Sequence, residues 1–164
     1  MESRDKFYFW YLVIHVPITV LIDQGIVIPE SYQTFISKFL IQLHLSQNKD
    51  FLAKNPPLWL RLFVFFELFV QLPFFVAGAY CLRRLCKRIY PFMVIYGFNA
   101  CFTTLVCLVY VFNRYEIYGL SQFEALKLGA LYFPYFLIPL VMMCDFTMRI
   151  INIIPQQEEK QKSA

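Results

Sequence analysis

Long apolar runs alternate along this chain with short polar connections, and the few polar residues inside the runs recur at helical spacing. Four runs, about Phe7–Ile28, Leu58–Tyr80, Pro91–Phe112 and Leu126–Ile150, each reach the roughly 20 helical residues needed to cross a bilayer. The pattern predicts an all-α membrane protein, a bundle of four transmembrane helices. The first run is too long for a removed signal peptide and lacks a small-residue cleavage site, so it reads as a span that stays. Between the first two spans, Phe35, Ile36, Phe39, Leu40 and Leu43 return every three or four positions. Tyr32–Leu45 therefore reads as an amphipathic helix in the first connection, lying on the membrane face or capping the bundle. Asn55-Pro-Pro then breaks the chain before the second span. Pro17, Pro73, Pro134 and Pro139 fall inside spans, where proline is tolerated if neighbours satisfy the freed carbonyl, and each kink can shape a cavity.

Composition supports the membrane reading. Of the 164 residues 59% are hydrophobic and only 16% charged, too few to cover a soluble core, which takes about a quarter. The net charge of +4 is clustered and not drawn out in a stripe with readout residues, so nucleic acid is excluded as a partner. The five cysteines form no CxxC and no His/Cys ligand spacing, so neither a metal site, a disulfide framework nor a cofactor is expected. They read as small buried hydrophobes, with Cys81 and Cys86 beside arginines as candidates for acylation.

Lysine and arginine in the flanks set the direction. Arg4, Lys6, the short Arg83–Arg88 connection, Arg149 and the tail lysines outweigh Lys38, Lys49, Lys54, Arg61, Arg114 and Lys127. Both termini are thus expected in the cytosol and the first connection in a lumen. Residues 1–154 form the membrane domain and 155–164 a tail, in which Lys160 and Lys162 match a K-x-K-x-x retrieval signal, an address for the endoplasmic-reticulum membrane. The plainer reading of those lysines is a solvated chain end.

Ionisable groups inside a membrane are costly and are functional candidates by default. His15, Asp23 and Glu67 qualify. Tyr11, His15, Thr19 and Asp23 recur every four residues and share one stripe. Glu67 and Gln71 share a face of the second span, the third offers Asn99, Thr103 and Thr104, and the fourth Tyr132 and Tyr135 around Pro134. At about 1.5 Å per residue, Asp23 lies about 8 Å and Glu67 about 13 Å below the same membrane face, so the two can meet. Two carboxyl groups in low dielectric do not both stay ionised, so the pair holds one proton. A single negative charge in an aromatic pocket suits a ligand with an apolar body and one cationic or hydroxyl head. The alternative is interhelical glue, for Glu67 and His15 alike. Asp145, with Arg149 four residues on, reads as an exposed helical ion pair, and Arg61 as snorkelling to the surface.

The motifs His15-Val-Pro-Ile-Thr19, Asp23, Asp50 followed by Pro56-Pro-x-Trp59, Phe66-Glu-Leu-x-x-Gln-Leu-Pro-Phe-Phe75, Thr103-Thr104 and Tyr132-x-Pro-Tyr-x-x-Ile-Pro139 resemble the sigma-2 receptor (transmembrane protein 97) family of EXPERA-domain proteins, related to the emopamil-binding sterol isomerases. The resemblance covers nearly the whole chain. It implies a four-helix endoplasmic-reticulum protein with a cavity for sterols and lipophilic amines. Asp23 then corresponds to the amine-binding aspartate and Glu67 to the glutamate bonded to it. Asp50 corresponds to a further acid tied to ligand binding, although its place in the chain reads only as a loop carboxylate or helix cap. His15, Gln71, Thr104, Tyr132 and Tyr135 match pocket positions. The connection between the third and fourth spans carries no matching motif.

Three functions follow. The first is a non-enzymatic receptor-like protein for sterols or lipophilic amines, acting in sterol homeostasis or in protein and lipid trafficking. The second is a sterol double-bond isomerase, which needs an acid and a base flanking a carbocation; the isomerases carry an additional span, so the chain is not expected to be an enzyme. The third is a chaperone-like adaptor. Candidate partners are the lipophilic ligand, membrane lipids, other membrane proteins of lipid transport, and a second copy of the chain.

Overall fold

The computed structural model describes residues 1–162, with side chains through residue 154. Four helical stretches, Ser3–Ile26, Leu58–Arg83, Lys87–Arg114 and Gln122–Ile154, are long and apolar enough to cross a membrane, and no strand occurs among the described residues. The chain is a multi-pass all-α membrane protein. Phe69, Ile95, Phe98, Phe102 and Val141 are among the many large apolar side chains exposed on its flanks, where lipid is their solvent.

Helix α1 (Ser3–Leu21) contains Pro17 and tightens into a 3-10 turn at Asp23–Ile26. The first connection holds α2 (Phe35–Asn48) and the single-turn α3 (Phe51–Lys54). The loop helix thus begins three residues later than its apolar periodicity suggests. Thr34 decides this, since its hydroxyl accepts the Ser37 N–H at 3.2 Å and caps the amino end. At the other end Lys49 takes a left-handed conformation with φ 49°. Phe35, Ile36, Phe39 and Leu43 form the outward face of α2, 39–84% exposed, as an element lying along the membrane surface requires.

The second span is not one continuous helix. It consists of α4 (Leu58–Phe66), a π-turn at Glu67–Gln71 and α5 (Leu72–Arg83). Pro73 has no N–H and crowds the preceding turn; widening that turn, with the Leu72 N–H bonded to the Glu67 carbonyl, accommodates it. Such π-turns concentrate at functional sites. The third span is α6 (Tyr90–Arg114), with Pro91 in its first turn. The fourth is the long α7 (Gln122–Lys162), opened by Ser121 and Glu124 as a reciprocal capping box: the Glu124 carboxylate accepts the Ser121 N–H at 2.8 Å, and the Ser121 hydroxyl accepts the Glu124 N–H at 3.3 Å.

Lipid supplies little drive for helix association, so close backbone approach carries the packing. A Cβ on Gly97 would lie 2.7 Å from the Pro139 carbonyl oxygen, so only glycine lets α6 and α7 come this close. Buried side chains fall into two clusters. One, around Leu12, Phe75, Met93, Met142 and Phe146, lies toward the face that carries the amino terminus. The other, around Leu52, Leu60, Val64, Val111 and Leu128, lies under the first connection.

At the terminal face, Arg149 joins α7 to α1. Its guanidinium donates to Asp5 at 2.5 Å and to Asp145 at 2.7 Å, stands 4.7 Å from the Phe146 ring, and Arg4 donates to Asp145 at 2.5 Å. The Asp145–Arg149 pair is therefore not the exposed helical pair its spacing suggests. The two side chains are only 10% and 14% exposed, because Asp5, far away in sequence, closes the cluster. Arg61 does reach the surface, its Nε donating to the Pro56 carbonyl at 3.3 Å. Cys101 and Cys107 are buried as expected, whereas Cys144 is exposed. Lys160 and Lys162 of the anticipated retrieval signal lie outside the residues whose side chains are described.

Candidate functional site

Between the two apolar clusters the four spans enclose a cavity of about 220 Å³. It runs from Tyr11, Phe75 and Tyr96 at its deep end to Gly25, Ile41, His44, Asp50 and Ala53 beneath the first connection, and Ile18, Ile22, Leu60, Phe63, Val64 and Leu131 supply apolar wall. All eight residues anticipated from the sequence, His15, Asp23, Asp50, Glu67, Gln71, Thr104, Tyr132 and Tyr135, line this one chamber.

Asp23 and Glu67 stand together near mid-height. The Thr19 hydroxyl, fully buried on α1, donates to Glu67 Oε1 at 2.6 Å. The Asp23 carboxyl, one helical turn on from Thr19, lies close to Glu67 on the same wall of the chamber. Two elements create this meeting: the 3-10 turn begins at Asp23, and the π-turn begins at Glu67. Carboxyl groups that hydrogen-bond each other need a proton between them, and in a low-dielectric chamber a second negative charge is prohibitive. Two acids so placed favour one shared proton and a single net charge.

Aromatic rings surround that charge. His15 Nδ1 donates to the Tyr11 carbonyl at 2.7 Å, which fixes the tautomer and leaves Nε2 as the acceptor of the neutral ring. Its imidazole packs against Tyr11, Tyr135 and Phe75 with centroid separations of 4.0, 5.4 and 5.6 Å. At the deep end Gln71 Nε2 donates to Asn99 Oδ1 at 2.7 Å, tying the π-turn to α6. Thr104 has a backbone role too. Pro139 cannot donate to the Tyr135 carbonyl, and the Thr104 hydroxyl bonds that carbonyl at 3.3 Å while also reaching Ala100 O at 2.8 Å.

Asp50 sits at the top of the chamber, 2% exposed. Its Oδ1 caps α3 by accepting the Ala53 N–H at 3.1 Å, and its Oδ2 accepts from Tyr132 Oη at 2.8 Å and His44 Nε2 at 3.0 Å. Three protein donors already occupy this carboxylate. It is the helix cap its position suggested, and also a clasp joining α2, α3 and α7. The roof is fastened at further points. Gln24 Nε2 donates to Ser37 Oγ at 2.7 Å and Ser37 Oγ donates to the Leu21 carbonyl. Lys49 pairs with Glu124 at 2.5 Å, and Lys127 donates to Gln47 O at 2.7 Å. A Cβ on Gly25 would fall 2.4 Å from Ile41 Cδ1, so α2 seats directly on the 3-10 turn.

His44, Ser37 and Gln24 were not anticipated. The signal was present: Ser37, Ile41 and His44 recur at helical spacing opposite the apolar stripe of α2. Among the described residues no His, Cys, Asp and Glu cluster suits a metal ion.

A profile of the family EBP: EXPERA (EXPanded EBP superfamily) matches residues 36–146. Efficient mitochondria targeting-associated protein 19 of Saccharomyces cerevisiae is 37% identical over 155 residues, covering 85% of this chain and 94% of the relative. Sigma intracellular receptor 2 of Xenopus tropicalis is 32% identical, covering 94% of this chain and 92% of the relative; for the Homo sapiens protein the figures are 32%, 93% and 90%. The family profile spans more than half of the chain and these relatives cover nearly all of it, so the chain belongs to the EXPERA family, the expanded EBP superfamily.

Proposed function

We propose that the protein is a receptor-like protein of the endoplasmic-reticulum membrane, with both termini cytosolic, that binds sterols or lipophilic cationic amines in its intramembrane cavity. The observation that carries this reading is the Thr19–Glu67–Asp23 group on the wall of an otherwise apolar, aromatic chamber. Asp23 takes the ligand's amine or hydroxyl, Glu67 steadies Asp23, and Tyr11, Tyr135 and the His15 ring flank the head group. Rings of this kind add about 0.5–2 kcal/mol to a bound cation. At about 220 Å³ the chamber is smaller than the roughly 300–1,000 Å³ usual for small-molecule pockets, so a fused-ring ligand seats with movement of the π-turn or of the roof. The names of the relatives, an intracellular receptor and a mitochondria targeting-associated protein, support a role in trafficking that responds to the ligand.

Asp23→Asn is expected to abolish binding of a radiolabelled lipophilic amine while melting temperature is retained, and Glu67→Gln to weaken it less. Unchanged affinity in Asp23→Asn removes the site from consideration. The isomerase alternative draws on the same observation, since one protonated and one ionised acid are what alkene migration needs. A shifted double bond, after the purified protein is added to isomerase-deficient membranes, would favour it.

A further inference from the structure

A second concavity lies on the lipid-facing side of the bundle, between α4 and α6, and shares no lining residue with the chamber. It measures about 620 Å³. Leu105, Val106 and Val109 form its apolar length, and Asn113 and Arg114 stand at its end on the membrane face that bears the first connection. On α6 Leu105, Val106, Val109, Tyr110, Asn113 and Arg114 recur three and four residues apart, so they make one continuous face. From Arg114 down to Leu105 the rise is about 14 Å, close to the roughly 15 Å of one leaflet's hydrocarbon. Trp59 of α4 closes the side, its ring 5.4 Å from that of Tyr110 across the helix seam.

The polar end carries a guanidinium with no ion-pair partner among the described residues. Lys49, Lys127 and Arg61 on the same membrane face are each held by a protein acceptor, while Lys38 and Lys54, which do not line the groove, are not. The Arg114 side chain is exposed and makes no hydrogen bond or ion pair among the described residues. The carboxylate of Glu116, two residues on, takes the Tyr115 hydroxyl at 2.9 Å. Asn113 Nδ2 donates one hydrogen to Val109 O at 2.7 Å and keeps a second to offer. The Trp59 indole N–H, half-buried, has no protein acceptor among the described residues. An apolar trough one leaflet deep that ends in an unpaired guanidinium and spare N–H donors matches one ligand chemistry, a chain carrying a phosphate of net negative charge.

We propose that this groove is a binding site for an anionic phospholipid, with an acyl chain along Leu105, Val106 and Val109 and the phosphate at Arg114 and Asn113. The chain carries two tryptophans, and Trp10 is exposed on the flank, so Trp10→Phe leaves Trp59 as sole reporter. The probe is acyl-chain-brominated phosphatidylglycerol titrated into phosphatidylcholine vesicles, with brominated phosphatidylcholine as the comparison. Quenching of Trp59 is expected to half-saturate at about fivefold lower mole fraction of the anionic lipid, the effect of one basic residue at an anionic surface. Arg114→Gln removes that preference, Asn113→Ala reduces it, and Arg61→Gln, a loss of charge on the same face outside the groove, preserves it. Equal quenching by both lipids overturns the proposal, as does a preference that survives Arg114→Gln or falls equally with Arg61→Gln. Shielding of Trp59 from both lipids overturns it in favour of a second copy of the chain on this face.

Discussion

Replacing Asp50 with asparagine preserves the side chain's volume and removes its charge at the point where α2, α3 and α7 are joined. The carboxylate accepts from Ala53 N, His44 Nε2 and Tyr132 Oη at 3.1, 3.0 and 2.8 Å and is almost wholly buried. Hydrogen bonds to a charged group are worth about 1.5–3 kcal/mol each. The amide cannot accept on both its atoms, so at least one donor is left facing another donor and the others bond a neutral partner. A loss of about 2–4 kcal/mol follows, or roughly 5–15 °C in melting temperature for a chain of this size. The assay is a thermal melt in detergent read with a thiol-reactive dye, on a background with Cys81, Cys86 and Cys144 changed to serine. Buried Cys101 and Cys107 then report unfolding alone. Tyr132→Phe should cost less than Asp50→Asn and lose part of its effect in the double variant, since Asp50→Asn already weakens the same bond. A melt for Asp50→Asn within about 1 °C of the parent, or full additivity with Tyr132→Phe, would refute the clasp.

Gly97→Leu places a side chain where only 2.7 Å separates a Cβ from the Pro139 carbonyl; α6 and α7 must part, and the protein should be recovered poorly folded by size-exclusion chromatography, with Gly97→Ala intermediate. Arg149→Ala strands Asp5 and Asp145 without their shared partner. Loss of one member of a buried ionic cluster costs about 3–5 kcal/mol, which the same melt should register, and Asp5→Asn should cost less. Thr104→Val leaves the Tyr135 carbonyl, already deprived of a donor by Pro139, without its hydroxyl partner; a loss of about 1–3 kcal/mol is expected by denaturant unfolding.

Periodicity revealed the chamber's long axis before the structure did. Tyr11, His15, Thr19 and Asp23 at intervals of four had to share a stripe, and helix rise alone put Asp23 and Glu67 within reach of each other. The π-turn was not legible, because hydropathy is indifferent to whether a turn closes on the fourth or fifth residue; Pro73 was visible, and the strain it relieves there is a tertiary matter. The apolar outer face of the loop helix extends three residues ahead of the helix itself, whose start is set by the Thr34 cap. Contacts across long separations were closed to sequence reasoning: Asp5 meets Arg149, and Asp50 meets Tyr132, only after all four spans have packed. Spacing alone therefore makes Asp145 and Arg149 look like a solvent-exposed pair.

The account turns on the charge state of two acids. Infrared difference spectroscopy in lipid bilayers at neutral pH, between the parent protein and the Asp23→Asn/Glu67→Gln double variant, counts protonated and ionised carboxyl groups directly. One protonated carboxyl band and one carboxylate band should vanish together in the double variant. The loss of two carboxylate bands, or of two protonated ones, would contradict a shared proton and a single negative charge in the chamber.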